Sequence, residues 1–333
     1  MRNPLLAISA LHTSFATPRG RLRAVDGVDL AVAAGETLAI VGESGSGKSV
    51  TALSVLSLFS RGDRAEITGS IRWRQRDGTE IDLLRLNERA LRDVRGREIA
   101  MIFQDPSASL NPVFTIGAQI REAARRHRPT EDADELAVRL LRDVGIADPE
   151  RRVASYPHHL SGGMRQRVMI AIALACAPRL LIADEPTTAL DVTIQAQILR
   201  LLADLKTKHA MSLLFITHDL ALVNEIADHV AVMYAGQVVE TGSAEAVLRA
   251  PRHPYTRALL ACRPSRRYRD AGDDERVLQP IPGAPPRPFT VVSGCRFAPR
   301  CAAVVSACRS TPIALDMLGD DEMVRCRRWR DLA

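Results

Sequence analysis

Residues Gly42-Glu43-Ser44-Gly45-Ser46-Gly47-Lys48-Ser49, followed by Val50, fit the pattern G-x-x-x-x-G-K-[ST]. Glycines at these positions let successive backbone N–H groups turn toward a phosphate chain, Lys48 brings positive charge to its β- and γ-phosphates, and the Ser49 hydroxyl can ligate Mg²⁺. The chain has only three lysines, Lys48, Lys206 and Lys208, so one in this setting is informative, and it points to ATP or GTP. A second stretch, Leu180-Leu-Ile-Ala-Asp184-Glu185-Pro186, ends an apolar run in two carboxylates. Downstream of a phosphate loop, Asp184 can hold the Mg²⁺ shell and Glu185 can orient or deprotonate an attacking water. Standing alone, Asp-Glu-Pro would be an ordinary strand exit. The third stretch, Leu160-Ser161-Gly162-Gly163-Met164-Arg165-Gln166, offers a hydroxyl and glycine N–H groups at a helix start. That is a second place to meet an anion, or simply an N-cap made by Ser161.

These residues need a strand-to-helix frame. The run ETLAIVG reads as a buried parallel strand and Lys48 to Phe59 as the helix after it, so the glycine-rich loop lies between strand and helix as its chemistry requires. Alternation predicts strands around Leu6, Ile8 and Leu11, over Leu22 to Val32, over Ile67 to Arg74 and over Glu80 to Leu84, with a buried strand from Glu98 to Phe103. From about Ile116 to Tyr156 apolar positions recur at spacings of three and four, which predicts a helical insertion. Thereafter helices (162–175, 192–206, 219–227) alternate with strands (179–183, 212–217, 229–234), the pattern of a mainly parallel sheet covered on both faces. Past Pro251 prolines accumulate, which predicts a linker or an irregular extension.

With Leu160 to Gln166 in place between the insertion and the Asp184 strand, the chain resembles the ABC ATPases. The resemblance implies a phosphate-loop α/β fold with a mainly parallel sheet core, an antiparallel β subdomain and a helical subdomain. It assigns residues 1–250 to the ATPase domain, with the helical subdomain at about 107–165, and leaves 251–333 as a small cysteine-bearing extension. It also implies four further roles: Gln104 as the glutamine that contacts Mg²⁺ or water and links to a transmembrane partner, Asp191 as the residue crossing between two subunits, His218 as the histidine touching the γ-phosphate, and Phe15 as the ring beneath adenine. For Phe15, core packing is the alternative reading. In this family ATP binds between two copies, each phosphate loop facing the other chain's signature, here Leu160, Ser161, Gly162, Gly163, Met164 and Gln166. A second ATPase subunit, a sister chain or a copy of this one, is therefore implied.

Two segments resemble the oligopeptide/dipeptide (and nickel) importer ATPases more narrowly. They are Arg252-His-Pro-Tyr-Thr-Arg-Ala-Leu-Leu260 and Gly294-Cys-Arg-Phe-Ala-Pro-Arg-Cys301, with Cys308 and Cys326 beyond. That resemblance implies two permease subunits, an extracytoplasmic substrate-binding protein and a peripheral place on the cytoplasmic face of the membrane. The tail cysteines Cys295, Cys301, Cys308 and Cys326 are spaced C-x5-C-x6-C-x17-C. Four thiolates can hold an iron–sulfur cluster or a structural zinc, and free buried thiols are the third possibility. The absence of a C-x2-C pair argues against an ordinary zinc ribbon, and the resemblance favours [4Fe-4S]. Cys176 and Cys262 read as structural.

Composition narrows the classes. With 46% hydrophobic and 25% charged residues the chain has the makings of a packed globular core. Its longest apolar run, Val168 to Ala177, is too short to span a bilayer, and no leader cleavage site stands out, so a cytoplasmic protein is expected. The formal charge of +6 lies wholly in the tail, where 251–333 hold 15 Lys+Arg against 9 Asp+Glu. Such a tail can meet an anionic partner or be solvated surface. It also keeps a rival class in view, a soluble ABC ATPase acting on nucleic acid. Proteins of that kind join two nucleotide domains or carry a coiled-coil or zinc insert, and neither is present, so no nucleic-acid partner is expected. A phosphate-loop kinase leaves Leu160 to Gln166 unexplained.

Overall fold

The computed structural model describes residues 3–128, 132–188, 190–262, 280–290, 292–319 and 321–332. Its strands are β1 Pro4–Thr17, β2 Gly20–Ala33, β3 Thr37–Val41, β4 Ala65–Arg74, β5 Glu80–Asp82, β6 Ile99–Ile102, β7 Leu180–Asp184, β8 Ser212–Thr217, β9 His229–Tyr234, β10 Gln237–Ser243, β11 Asp316–Met317 and β12 Met323–Val324. They form an antiparallel four-stranded sheet, β2-β1-β4-β5, and an eight-stranded sheet, β11-β12-β10-β9-β3-β8-β7-β6. In the larger sheet β6, β7, β8, β3 and β9 run parallel, while β10, β11 and β12 pair antiparallel.

The β3 run TLAIV is apolar throughout because both of its faces are covered. Leu38 and Ile40 pack into the core shared with β1, β2 and β4, whereas Ala39 and Val41 pack into the core shared with the helical insertion. Helices Ile116–His127 and Ala133–Asp143 bury Ile116, Ile120 and Ala124 and Leu136, Ala137, Leu140 and Leu141, the spacing of three and four that their sequence carries. Thr115 and Asp132 cap them, the Thr115 hydroxyl accepting from Ala118 N–H at 3.2 Å. Helix Glu88–Val94, capped by Asn87, was not among the sequence expectations. The helix expected over Lys48 to Phe59 ends at Val55. No helix among the described residues is long and apolar enough to cross a membrane.

Beyond Pro251 the described residues are largely irregular, as the prolines predict, but short ordered pieces tie them to the core. Helix Pro254–Ala261 docks through Tyr255, which is fully buried, and β11 and β12 add two short rungs to the edge strand β10. The buried Glu240 carboxylate, its pKa raised by burial, accepts the backbone N–H groups of Arg252 (2.6 Å) and His253 (2.9 Å) at the start of that helix. The tail arginines do not form only a solvated basic surface. Arg257, Arg296, Arg300, Arg325 and Arg328 each donate to a backbone carbonyl, and Arg296 and Arg300 also reach across to the carboxylates of Asp26 and Glu43.

Candidate functional site

Between β3 and helix Lys48–Val55 the chain makes the glycine-rich turn. Gly47 has φ +101°, and a Cβ there would lie 2.6 Å from the Ala24 carbonyl oxygen, so this position requires glycine. Lys48 is nearly fully buried, and its Nζ donates to the carbonyls of Gly42 (2.8 Å) and Glu43 (3.0 Å) and stands 4.0 Å from Glu185 Oε1. Burial pulls its pKa below the ordinary lysine value, partly offset by the carboxylates of Glu185, Asp184 and Glu43. Ser49 Oγ donates to Asp184 Oδ1 at 2.9 Å. Asp184 closes β7, and its pKa is raised chiefly by burial, with the neighbouring Glu185 charge adding to it. A cation arriving beside these two oxygens would favour the ionised form of the aspartate, and oxygen donors of this kind suit Mg²⁺.

Glu185 sits at φ +46°, a left-handed conformation that costs a non-glycine residue about 1–3 kcal/mol. Its N–H donates to the Ile216 carbonyl of β8, which holds the backbone in that turn and aims the side chain into the cleft. Three donors converge on its Oε2: Gln104 Nε2 at 3.2 Å, Thr188 Oγ1 at 2.8 Å and the His218 ring, whose Nδ1 is 3.2 Å away. The structure thus gathers Gln104, Glu185 and His218 around Lys48, Ser49 and Asp184. Thr188 belongs to the same cluster, and no sequence pattern had marked it.

Lys48, Ser49, Gln104, Glu185 and His218 line a cleft of about 1090 Å³ together with Glu43, Ser44, Gly45, Ser46, Gly47, Val50 and Phe15. Phe15, on β1, lines the cleft and also meets Phe59 edge to face at 5.5 Å, so the two readings of its role coexist in one ring. Pro286 to Thr290 and Arg296 of the tail complete the far wall. The signature does not reach this cleft. Ser161 is exposed and caps helix Gly162–Leu174, its Oγ accepting from Met164 N–H at 3.4 Å, while Leu160 and Gln166 are buried beside it. Asp191 likewise caps helix Val192–Lys208 and is exposed.

Residues 25–188 match the ABC transporter family, and residues 239–308 match the oligopeptide/dipeptide transporter C-terminal region. The chain is 51% identical over its full length to a putative peptide import ATP-binding protein of Brucella melitensis, covering 99% of that protein. It is 48% identical to the dipeptide transport ATP-binding protein DppD of Escherichia coli, over 97% of this chain and 96% of the relative. It belongs to the ABC transporter family. Among solved structures this ABC chain resembles the dimeric bacterial ABC transporter cassette MJ0796, with 25% identity and a TM-score of 0.62 over 72% of this chain and 98% of that one. A Clostridium perfringens cassette, part of the cbiONQ ABC transporter complex, aligns at 27% identity with a TM-score of 0.59, over 75% of this chain and 96% of the other.

At the other end of this ABC chain, all four tail cysteines line one small apolar pocket beside Phe297 and Ala298. They are free thiols, and among the described residues no three His, Cys, Asp or Glu side chains are spaced as a metal-ligand set. Burial raises the thiol pKa of Cys295 and Cys301, and that of Cys326 to about 11. Backbone hydrogen bonds from Phe297 and Ala298 at Cys295, from Ala303 at Cys301 and from Arg328 at Cys326 act the other way and favour thiolate.

Proposed function

We propose that this chain hydrolyses ATP to drive a peptide importer of the dipeptide/oligopeptide class, as one half of an ATPase pair on two permease subunits at the cytoplasmic face of the membrane, fed by an extracytoplasmic binding protein. The observation that carries it is the match of both the ATPase core and the tail, end to end, to relatives named for peptide import. Against the nucleic-acid alternative, Arg296, Arg300 and Arg325 among the described tail residues turn their charge inward, onto Asp26, Glu43 and the Val238 carbonyl. Exposed apolar side chains, Phe103 beside Gln104 and Val113, Phe114 and Tyr156 in the insertion, are available for a permease to cover.

In the proposed reaction the N–H groups of 42–49 and Lys48 bind the phosphates, Ser49 and Asp184, with Gln104 adjacent, hold Mg²⁺, and Phe15 flanks the base. Mg²⁺, when bound, draws charge from the β- and γ-phosphate oxygens. Glu185 accepts the proton of the attacking water, and His218 fixes both that carboxylate and the γ-phosphate. Ser161, Gly162 and Gly163, which lie outside their own cleft, would serve the partner's. Reconstitution with the permeases tests the function: ATP-dependent accumulation of labelled peptides in proteoliposomes is expected, and its absence together with nucleic-acid-stimulated ATPase activity would overturn it.

For the tail we propose a [4Fe-4S] cluster held by Cys295, Cys301, Cys308 and Cys326. All four thiols line one pocket, with backbone N–H groups directed at three of the sulfurs, and this supports the reading, although here they are not drawn together at ligand spacing. Its contribution would be cohesion of a segment whose own strands are two residues long. Anaerobic purification is expected to give a brown protein with about four irons per chain, lost in Cys326→Ser. One zinc, or four free thiols without metal, refutes the cluster.

A further inference from the structure

The phosphate loop of this protein is gripped from outside the ATPase core. Both carboxylate oxygens of Glu43, the residue after the first glycine of the loop, accept from Arg300: Nη1 to Oε2 at 2.7 Å and Nη2 to Oε1 at 3.0 Å. Such a forked pair fixes orientation as well as distance. The Arg300 side chain is only 4% exposed, and its remaining contacts also hold it in place. Nε donates to the Pro282 carbonyl at 3.0 Å, Nη2 to the Ile281 carbonyl at 3.3 Å and Nη1 to the Tyr234 hydroxyl at 3.4 Å. The guanidinium also lies near the rings of Tyr234 and Phe297, at 5.8 and 5.9 Å from their centroids. The hydrogen bonds it donates to Glu43 hold it firmly in the charged form.

The main chain of Glu43 is held as well, since its N–H donates to the Tyr255 hydroxyl at 2.9 Å. The Glu43 carbonyl in turn accepts from Lys48 Nζ at 3.0 Å and from Ser46 N–H at 3.2 Å. Fixing Glu43 therefore fixes the turn on which the buried lysine and the loop N–H groups depend. Charge works in the same direction. Glu43 places an anion at the edge of a loop that must receive a polyanion, and Arg300 cancels it.

We infer that Arg300 is a positioning residue for the phosphate loop, by which the C-terminal extension both sets the curvature of residues 42–47 and neutralises the Glu43 charge before nucleotide arrives. Arg300 ends the short turn Ala298–Arg300 and directly precedes Cys301, so the thiol pocket and the grip on the loop share one piece of backbone. Sequence separation hides this link, for Glu43 and Arg300 lie 257 residues apart. The inference rests on the phosphate loop being the nucleotide site, and the test keeps the two apart.

MgATP affinity is measured on the full chain for the parent, Arg300→Gln, the double variant Glu43→Gln/Arg300→Gln, Tyr255→Phe and Lys48→Ala, with hydrogen exchange of the loop amides in parallel. Arg300→Gln is expected to bind about tenfold more weakly, because it leaves a bare carboxylate beside the phosphates. Faster exchange at Ser44 to Gly47 should accompany the loss. The double variant is expected to recover part of that loss, a gain that mere loosening of the fold would not give. Its KM for ATP should move more than its kcat. Tyr255→Phe, which deletes one hydroxyl and keeps the ring, covers the case in which Arg300→Gln does not fold, and should raise loop exchange and weaken binding about threefold. Parent affinity in folded Arg300→Gln, a double variant weaker than the single one, or parent-like exchange and affinity in Tyr255→Phe would overturn the inference. Parent-like affinity in Lys48→Ala would instead overturn the nucleotide site itself.

Discussion

Glu185→Gln is expected to lower steady-state ATP hydrolysis by about 10²–10⁴-fold, the usual worth of a positioned general base, with MgATP affinity close to that of the parent. The substitution is nearly isosteric, and the geometry shows why binding should survive it. In the proposed site the phosphate cradle rests on Lys48, Ser49 and the backbone of 42–49, and Glu185 stands 4.0 Å from Lys48 Nζ. Hydrolysis should not survive. With Gln104, Thr188 and His218 all directed at Oε2, Oε1 is left to accept from a water, and an amide at this position cannot take up its proton. The left-handed turn at 185 comes from the backbone bond to Ile216, so the amide side chain should occupy the same place. Phosphate release by the assembled transporter, measured beside equilibrium binding, checks both halves. Parent-rate turnover would remove Glu185 from the role of base.

Much of this arrangement was legible in the sequence because it depends on short-range order. A short continuous apolar run into glycine reads as a strand covered on both faces, and G-x-x-x-x-G-K-S after it specifies its own turn through the φ values that Gly42, Gly45 and Gly47 adopt. The carboxylates of Asp184 and Glu185 were visible for the same reason, as the end of a second such run. Long-range features were not visible. Thr188 joins the cluster through a one-residue matter of turn geometry, and the pairing of Glu43 with Arg300 selects one arginine among 45 Lys and Arg residues. The strands Asp316–Met317 and Met323–Val324 are too short to show any period, so the pairing of Met323–Val324 with β10 leaves no mark in the sequence. Ser161 shows a different limit: its sequence marks it clearly, yet in one chain it does no more than cap a helix. In the proposed pairing its chemistry would need a second subunit.

Lys48→Ala should separate the other way, with MgATP affinity falling by about 100-fold and hydrolysis lost as a consequence of empty sites. The estimate follows from removing one partner of a buried, charge-assisted set, which typically costs about 2–5 kcal/mol. Two deficits arise together. The carbonyls of Gly42 and Glu43 lose the ammonium that draws them inward, so the loop no longer presents a closed ring of donors. Asp184 and Glu185 meanwhile keep their negative charges with no cation between them and the incoming triphosphate, where Lys48 had offset both. Because the ammonium is desolvated in the parent, its field on a phosphate is stronger than that of an exposed lysine, and its loss should be correspondingly severe. Titration calorimetry with MgATP on Lys48→Ala and Glu185→Gln side by side makes the contrast. Weak binding in the first and intact binding with stalled turnover in the second is the expected pair, and equal affinities would mean that the phosphates rest on something other than Lys48.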